Sequence, residues 1–182
     1  MKILIIGGSK SGKTSYAQDI ASNLKKDGKL YYVATMKPYD DEDSIRIKNH
    51  IDDRKNYDFE TLEVQKNIET IIDILNKKDV ALIDSITALL CNEMFLKEGT
   101  RENCSSFIVE GLKRISNNLK HIVVVSDYLF SDSKIYDEYT NKFMKELALS
   151  YRELANEFDV VIECNYKNIY FHKGKEFAKE IL

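Results

Sequence analysis

The sequence predicts an α/β fold in three layers, a mostly parallel sheet covered by helices on both faces. Two features carry that expectation. Short runs rich in Ile, Val and Leu alternate with longer stretches of helical periodicity, and a glycine-bearing turn joins the first run to the first of those stretches. The runs read as strands at 3–6, 30–34, 80–83, 122–125 and 160–163, with a last edge strand at 169–172. Helices are expected at 14–24, 68–75, 86–96, 107–119 and 136–158. In the longest, Tyr136, Tyr139, Phe143, Leu147, Leu154 and Phe158 recur at helical spacing, with Tyr151 close to the same face. Such a stripe is suited to core packing.

The turn is Gly7-Gly8-Ser9-Lys10-Ser11-Gly12-Lys13-Thr14, which fits G-x-x-x-x-G-K-S/T between a strand and a helix, the context that motif requires. Gly7 and Gly12 are expected to give the backbone turns closed to residues with a Cβ, so that successive N–H groups cradle phosphates. The positive end of the following helix adds to the attraction. Lys13 supplies a point charge for the β- and γ-phosphates, and the Thr14 hydroxyl is placed to ligate Mg2+. The expected fold is therefore a RecA-like P-loop NTPase domain, a single nucleotide-binding unit over residues 1–182. Its accompanying acid should end a later apolar strand, and Asp84 after Ala81-Leu82-Ile83 does so; the alternative role for Asp84 is N-cap of the next helix. Asn76-Lys77-Lys78-Asp79 matches the N-K-x-D string of guanine readers, but it precedes a strand and reads as a solvated turn at the opposite edge of the sheet.

Composition narrows the function classes. The 27 basic and 30 acidic residues are interleaved, for a net charge of -3, with no basic block to bind nucleic acid. No stretch approaches the ~20 apolar residues of a membrane span, so a cytoplasmic protein is expected. Cys91, Cys104 and Cys164 lack metal or redox spacing and read as buried, reduced thiols.

A second candidate region follows the second strand, where parallel sheets bind ligands. It runs through Ala34-Thr35-Met36, Pro38 and the acids Asp40 to Asp43 into Arg46-Ile47-Lys48-Asn49-His50-Ile51-Asp52-Asp53-Arg54. On a helix Arg46, His50 and Arg54 share one face, and flanking cations should keep His50 neutral and nucleophilic.

Together the P-loop, the Y-x-A-T after the second strand, R-I-x-x-H-x-x-x-R, Thr61, Glu63, and Asp84-Ser85-Ile86-Thr87 with Asn92 resemble the adenosylcobinamide kinase/adenosylcobinamide-phosphate guanylyltransferase family. The likeness covers the first half of the chain at motif level. It implies phosphorylation of the adenosylcobinamide hydroxyl, then attachment of GMP through a guanylylated histidine, His50 by the R-I-x-x-H match. It also implies nucleotide contacts from Ala34, Thr35, Met36, Ile51, Asp52, Asp53, Arg54, Glu63 and Asp84, with Thr14 and Asp84 at Mg2+. GTP or ATP would be the substrate nucleotide, a corrinoid the acceptor, and a homo-oligomer, commonly a trimer, the assembly.

Two departures stand out. The family has Arg after the histidine and Arg-Pro at the end of that segment, where this chain has Ile51 and Arg54-Lys55. After the strand at 122–125 the family carries a motif resembling N-E-V-G-x-G-x-V-P, whereas this chain reads Asp127-Tyr128-Leu129-Phe130-Ser131-Asp132, without glycine. Two other functions stay open: a P-loop kinase of another small hydroxylated metabolite, and a nucleotide-dependent regulatory module.

Overall fold

The computed structural model describes residues 1–96, 99–131, 133–166 and 168–181. Nine strands and six α-helices are formed among them. The strands are β1 (Lys2–Gly7), β2 (Leu30–Ala34), β3 (Phe59–Glu63), β4 (Val80–Asp84), β5 (Phe95–Leu96), β6 (Gly99–Thr100), β7 (His121–Asp127), β8 (Val160–Asn165) and β9 (Asn168–Lys173). The helices are α1 (Lys13–Leu24), α2 (Asp41–Asp53), α3 (Ile86–Met94), α4 (Cys104–Ser116), α5 (Glu138–Glu157) and α6 (Ala178–Ile181), with 3-10 turns at Ile68–Ile74 and Lys175–Phe177.

Seven strands form one sheet in the order β3-β2-β4-β7-β1-β8-β9. All pairings are parallel except β8 with β9. Alternate side chains along each strand face opposite layers. Leu4, Val33, Ile83 and Val124 pack with α3, α4, α5 and the first 3-10 turn. Ile3, Ile5, Leu82 and Val123 pack with α1 and with Ile181 of α6. Both faces are therefore covered, which is why the central strands read as unbroken apolar runs. Each fully buried Leu, Ile or Val on them contributes about 1.5–3 kcal/mol.

Several expectations change in detail. The 3-10 turn at Ile68–Ile74 replaces the helix expected at 68–75. The helix expected at 86–96 stops at Met94, because Phe95 and Leu96 pair with Thr100 and Gly99 in a two-stranded ribbon. β3 was not expected at all: Phe-Glu-Thr-Leu-Glu is a half-exposed edge strand with only Phe59 and Leu62 turned inward, so it lacks an apolar run. In α5 the stripe holds from Phe143 to Phe158, but Tyr139 is 64% exposed and packs no core.

The N-K-x-D string is a structural turn. Asp79 is buried, and its carboxylate accepts from the backbone N–H of Lys29 and Asn76, each at 2.8 Å. It lies where β4 begins, at the far edge from Gly7. Cys104 and Cys164 are buried and Cys91 half-buried, all free; burial raises all three thiol pKa values, that of Cys164 to about 11. No helix among the described residues is long and apolar enough to cross a membrane.

Candidate functional site

The parallel register sets the frame of the site. Ala34 on β2 is level with Glu63 on β3 and with Asp84 on β4, and Asp84 is level with Val125 on β7. Gly7, the last residue of β1, is level with Asp127, two positions further along β7. Gly7, Ala34, Glu63 and Asp84, from four separate stretches of sequence, thus end four strands at one edge of the sheet, joined there by Asp127 of a fifth, where such folds bind ligands.

The P-loop leaves β1 at Gly7 and enters α1 at Lys13. Gly12 has φ +89, as expected of the hinge. Gly7 does not: its value lies in close packing, since a Cβ there would sit 2.5 Å from the Cys164 carbonyl oxygen and 2.6 Å from Ser11 Oγ. The second left-handed residue of the loop is instead Lys10, φ +57. No side chain caps α1, whereas Asp40, Ser85 and Asp137 cap α2, α3 and α5, and at α4, whose N-cap residue also lacks a side-chain bond, the Ser105 N–H donates to the Glu146 carboxylate at 2.7 Å. The leading N–H groups of α1 are therefore left for an external acceptor. Ser11 Oγ is also buried with no hydrogen-bond partner, an orphan that a ligand oxygen would satisfy.

Lys13 is 9% exposed. Its Nζ lies 2.7 Å from Asp127 Oδ1 and donates to the Gly8 carbonyl at 3.3 Å. Asp127 was not among the residues selected from sequence, although it ends an apolar strand just as Asp84 does. Its backbone is firmly held: its N–H donates to Thr87 Oγ1 at 2.9 Å and its carbonyl accepts from the Tyr151 hydroxyl at 2.5 Å. Ser126 Oγ joins the same cluster, 2.9 Å from Thr87 Oγ1 and 2.7 Å from the Tyr151 hydroxyl. Burial pushes the Tyr151 pKa up, so it donates as a neutral phenol.

Asp84 is not a helix cap; Ser85 is, its Oγ accepting from Ala88 N–H. The Asp84 carboxylate accepts from the Tyr32 hydroxyl at 2.6 Å. Thr35 is stitched to the same corner, its Oγ1 donating to the Ser85 carbonyl and accepting from Ser85 N–H, both at 2.7 Å. Asn92 Nδ2 donates to the Thr35 carbonyl at 2.8 Å, and Tyr39 donates to Asn92 Oδ1 at 3.0 Å. Ser85, Thr87 and Asn92 therefore hold backbone at the strand ends.

His50 lies on α2, a helix with no buried side chain. Its Nδ1 is covered and has no hydrogen-bond partner. The flanking arginines are engaged elsewhere, which departs from the expected screen of cations. Arg46 pairs with Asp43 at 3.7 Å; Arg54, at the C-cap, donates from Nε to Thr61 Oγ1 at 3.2 Å and lies 4.3 Å over the Tyr32 ring. Ile51, Asp52, Asp53 and Glu63 are exposed, and Asp52 pairs with Lys55 at 2.6 Å. In the glycine-free segment after β7, Phe130 meets Tyr151 and Tyr128 edge-on, centroids 5.9 and 5.5 Å apart; Asp132 lies outside the described residues.

A sequence model of the cobinamide kinase / cobinamide phosphate guanyltransferase family, CobU, matches residues 3–165. The chain belongs to that family. The bifunctional adenosylcobalamin biosynthesis protein CobU of Salmonella typhimurium is 31% identical over 103 residues, and that of Escherichia coli 28% over 103 residues. Each match covers 56% of this chain and 55% of the relative, so the chain spans about half the length of the curated relatives it matches. Among solved structures, a DnaB-like replicative helicase (TM-score 0.55, 13% identity) is similar over 93% of this chain and 53% of its own. The ATP synthase subunit NeqB of Nanoarcheaum equitans (TM-score 0.58, 10% identity) is similar over 100% of this chain and 52% of its own. These two likenesses show the fold alone, that of RecA-like P-loop NTPases. The cobinamide kinase family match reaches beyond the P-loop through β8, covering the half of the chain where motif reading found only alternation.

Proposed function

We propose that this protein is a bifunctional adenosylcobinamide kinase and adenosylcobinamide-phosphate guanylyltransferase, acting in the cytoplasm as a homo-oligomer, a trimer by family resemblance. The observation that carries the reading is the uncapped head of α1 and the orphaned Ser11 hydroxyl, beside strand ends that present Asp84 level with Val125 and Asp127 level with Gly7. It is supported by the family match over 3–165.

In the kinase step the acceptor hydroxyl oxygen forms a bond to the γ-phosphorus of GTP or ATP and gives up its proton to solvent, the bond to the bridging oxygen breaks, and the nucleoside diphosphate departs. The loop amides of Gly8 to Thr14 orient the triphosphate, and Lys13 neutralises charge on the transferring group. Ala34, Thr35, Met36, Ile51, Asp52, Asp53, Arg54 and Glu63 belong to the nucleotide site in this reading. No cluster of three or more His, Cys, Asp or Glu able to hold a metal exists among the described residues. Thr14 and Asp84 would offer one hydroxyl and one carboxylate, a donor set that suits Mg2+ arriving with the triphosphate, since that ion commonly takes one or two carboxylates plus phosphate oxygens. When bound, it would offset negative charge on the phosphates.

In the second step a ring nitrogen of His50 attacks the α-phosphorus of GTP and pyrophosphate leaves. The phosphate oxygen of adenosylcobinamide phosphate then displaces His50 and takes the GMP. Two displacements through a good nucleophile replace one difficult transfer. The test is retention of label from α-labelled GTP after denaturing wash: it is expected in wild type and lost in His50→Ala, and equal retention in both would remove His50 from the mechanism.

A kinase of another hydroxylated metabolite is the second reading, favoured by the aromatic closure at Tyr128, Phe130 and Tyr151 where the family has glycines. Turnover with such an acceptor, and none with adenosylcobinamide, would select it.

A further inference from the structure

Tyr32 has no assigned role, yet three contacts converge on it. It is 2% exposed, and its hydroxyl donates to Asp84 Oδ2 at 2.6 Å. The Arg54 guanidinium carbon lies 4.3 Å from the centroid of its ring. Phe59 meets the ring edge-on, centroids 5.6 Å apart at 80°. Arg54 is itself pinned by its bond to Thr61 on β3. Beyond it, Tyr57 packs on Phe59 with centroids 5.8 Å apart and donates to Asp19 of α1 at 2.6 Å. The chain leaving α2 is thus fastened across β2 and β3 to the P-loop helix, with Tyr32 at its centre.

A buried phenol needs an acceptor, and a carboxylate is the strongest available. The same bond fixes the carboxylate plane. Among the described residues Oδ2 is occupied by Tyr32 and nothing donates to Oδ1, which leaves one oxygen with a defined direction for a cation. A guanidinium over a desolvated ring is attracted by the π-face and, being positive, strengthens the phenol as a donor.

We propose that Tyr32 is a positioning residue: it orients the Asp84 carboxylate toward the divalent cation of a bound nucleotide, and Arg54 clamps it in place from the end of α2. This rests on the reading of Asp84 as a metal-site acid in a P-loop nucleotide site.

The experiment measures affinity for a fluorescent nucleoside triphosphate with excess EDTA and with Mg2+, the ratio of the two being the magnesium coupling. Bound Mn2+ is read separately by its paramagnetic resonance in the ternary complex. Tyr32→Phe keeps the ring under Arg54 and removes only the hydroxyl. It should leave the EDTA affinity unchanged, which also reports an intact fold, and reduce the coupling about tenfold, the effect of one charge-assisted hydrogen bond. The Mn2+ spectrum should broaden. Arg54→Met should reduce the coupling about threefold in wild type and add nothing in the Tyr32→Phe background. An unchanged coupling in Tyr32→Phe, with the coupling abolished in Asp84→Asn, overturns the role of Tyr32 and leaves the nucleotide site standing. Equal loss of affinity with and without Mg2+ overturns it too, as a purely structural effect. If wild type shows no coupling, or Lys13→Ala binds triphosphate as wild type does, the nucleotide reading itself fails and Tyr32 with it.

Discussion

Lys13 Nζ and Asp127 Oδ1 lie 2.7 Å apart, an ion pair that joins the P-loop to the end of β7. A triphosphate engaging Lys13 must share or displace this carboxylate, and two anions on one largely buried lysine repel each other. Asp127→Asn should therefore tighten metal-free triphosphate binding about tenfold, or ~1.4 kcal/mol, as titrated with a fluorescent analogue in EDTA. Weaker binding in that variant would mean that Asp127 helps to hold the nucleotide.

The two glycines at the start of the loop should behave differently. Nothing lies within 4 Å of a Cβ built on Gly8, whereas one on Gly7 meets backbone at 2.5 Å. Gly7→Ala should lower stability by about 1–3 kcal/mol and Gly8→Ala hardly at all, in urea melts without nucleotide.

Arg101→Met probes a buried carboxylate. Glu93 is 3% exposed in its side chain, accepts from Asn67 N–H at 2.5 Å and pairs with Arg101 at 3.1 Å. The loss should be about 2 kcal/mol, below the ~3–5 of a fully buried pair, because the Arg101 side chain is 40% exposed and water can reach its place. Restoration of stability in Arg101→Met/Glu93→Gln would confirm the unpaired charge as the cause.

Acid should weaken the fold through His121, whose pKa burial lowers to about 4, with the neighbouring amino terminus, Lys120 and Lys26 adding to the shift. The folded imidazole stays neutral down to that value, while the unfolded one takes a proton near pH 6.5. More protons bind the unfolded chain between those limits, so stability falls as pH drops from about 6.5 to about 4. Replacing His121 with Gln should flatten that part of a stability–pH curve; an unaltered slope would assign the acid sensitivity to other groups.

The sequence made the sheet legible because the central positions of β1, β2, β4, β7 and β8 are buried on both faces and therefore read as apolar runs. β3 escaped because it alternates at an exposed edge, although Thr61 and Glu63 on it had been noticed as motif letters. The Gly12 hinge could be read because it answers to local geometry; that Lys10 takes the other left-handed place and that Gly7 is required by contact with Cys164 could not, the latter because that partner lies 157 residues away. Asp127 and Tyr32 went unselected for the same reason. Tyr32 opens the Y-x-A-T string and Asp127 ends an apolar strand, but what each does depends on a partner far away in sequence, Asp84 on β4 and Lys13 on α1.

One slip of pairing by a single residue in β4 would turn Asp84 to the opposite layer and carry Ile83 into its place. Ala34, Glu63 and Asp84 keep their mutual spacing only as long as the ladder that joins β3, β2 and β4 keeps count. The sheet thus serves as a ruler for the chemistry at its rim, and the apolar strand interiors, remote from any ligand, are what hold that ruler to its marks.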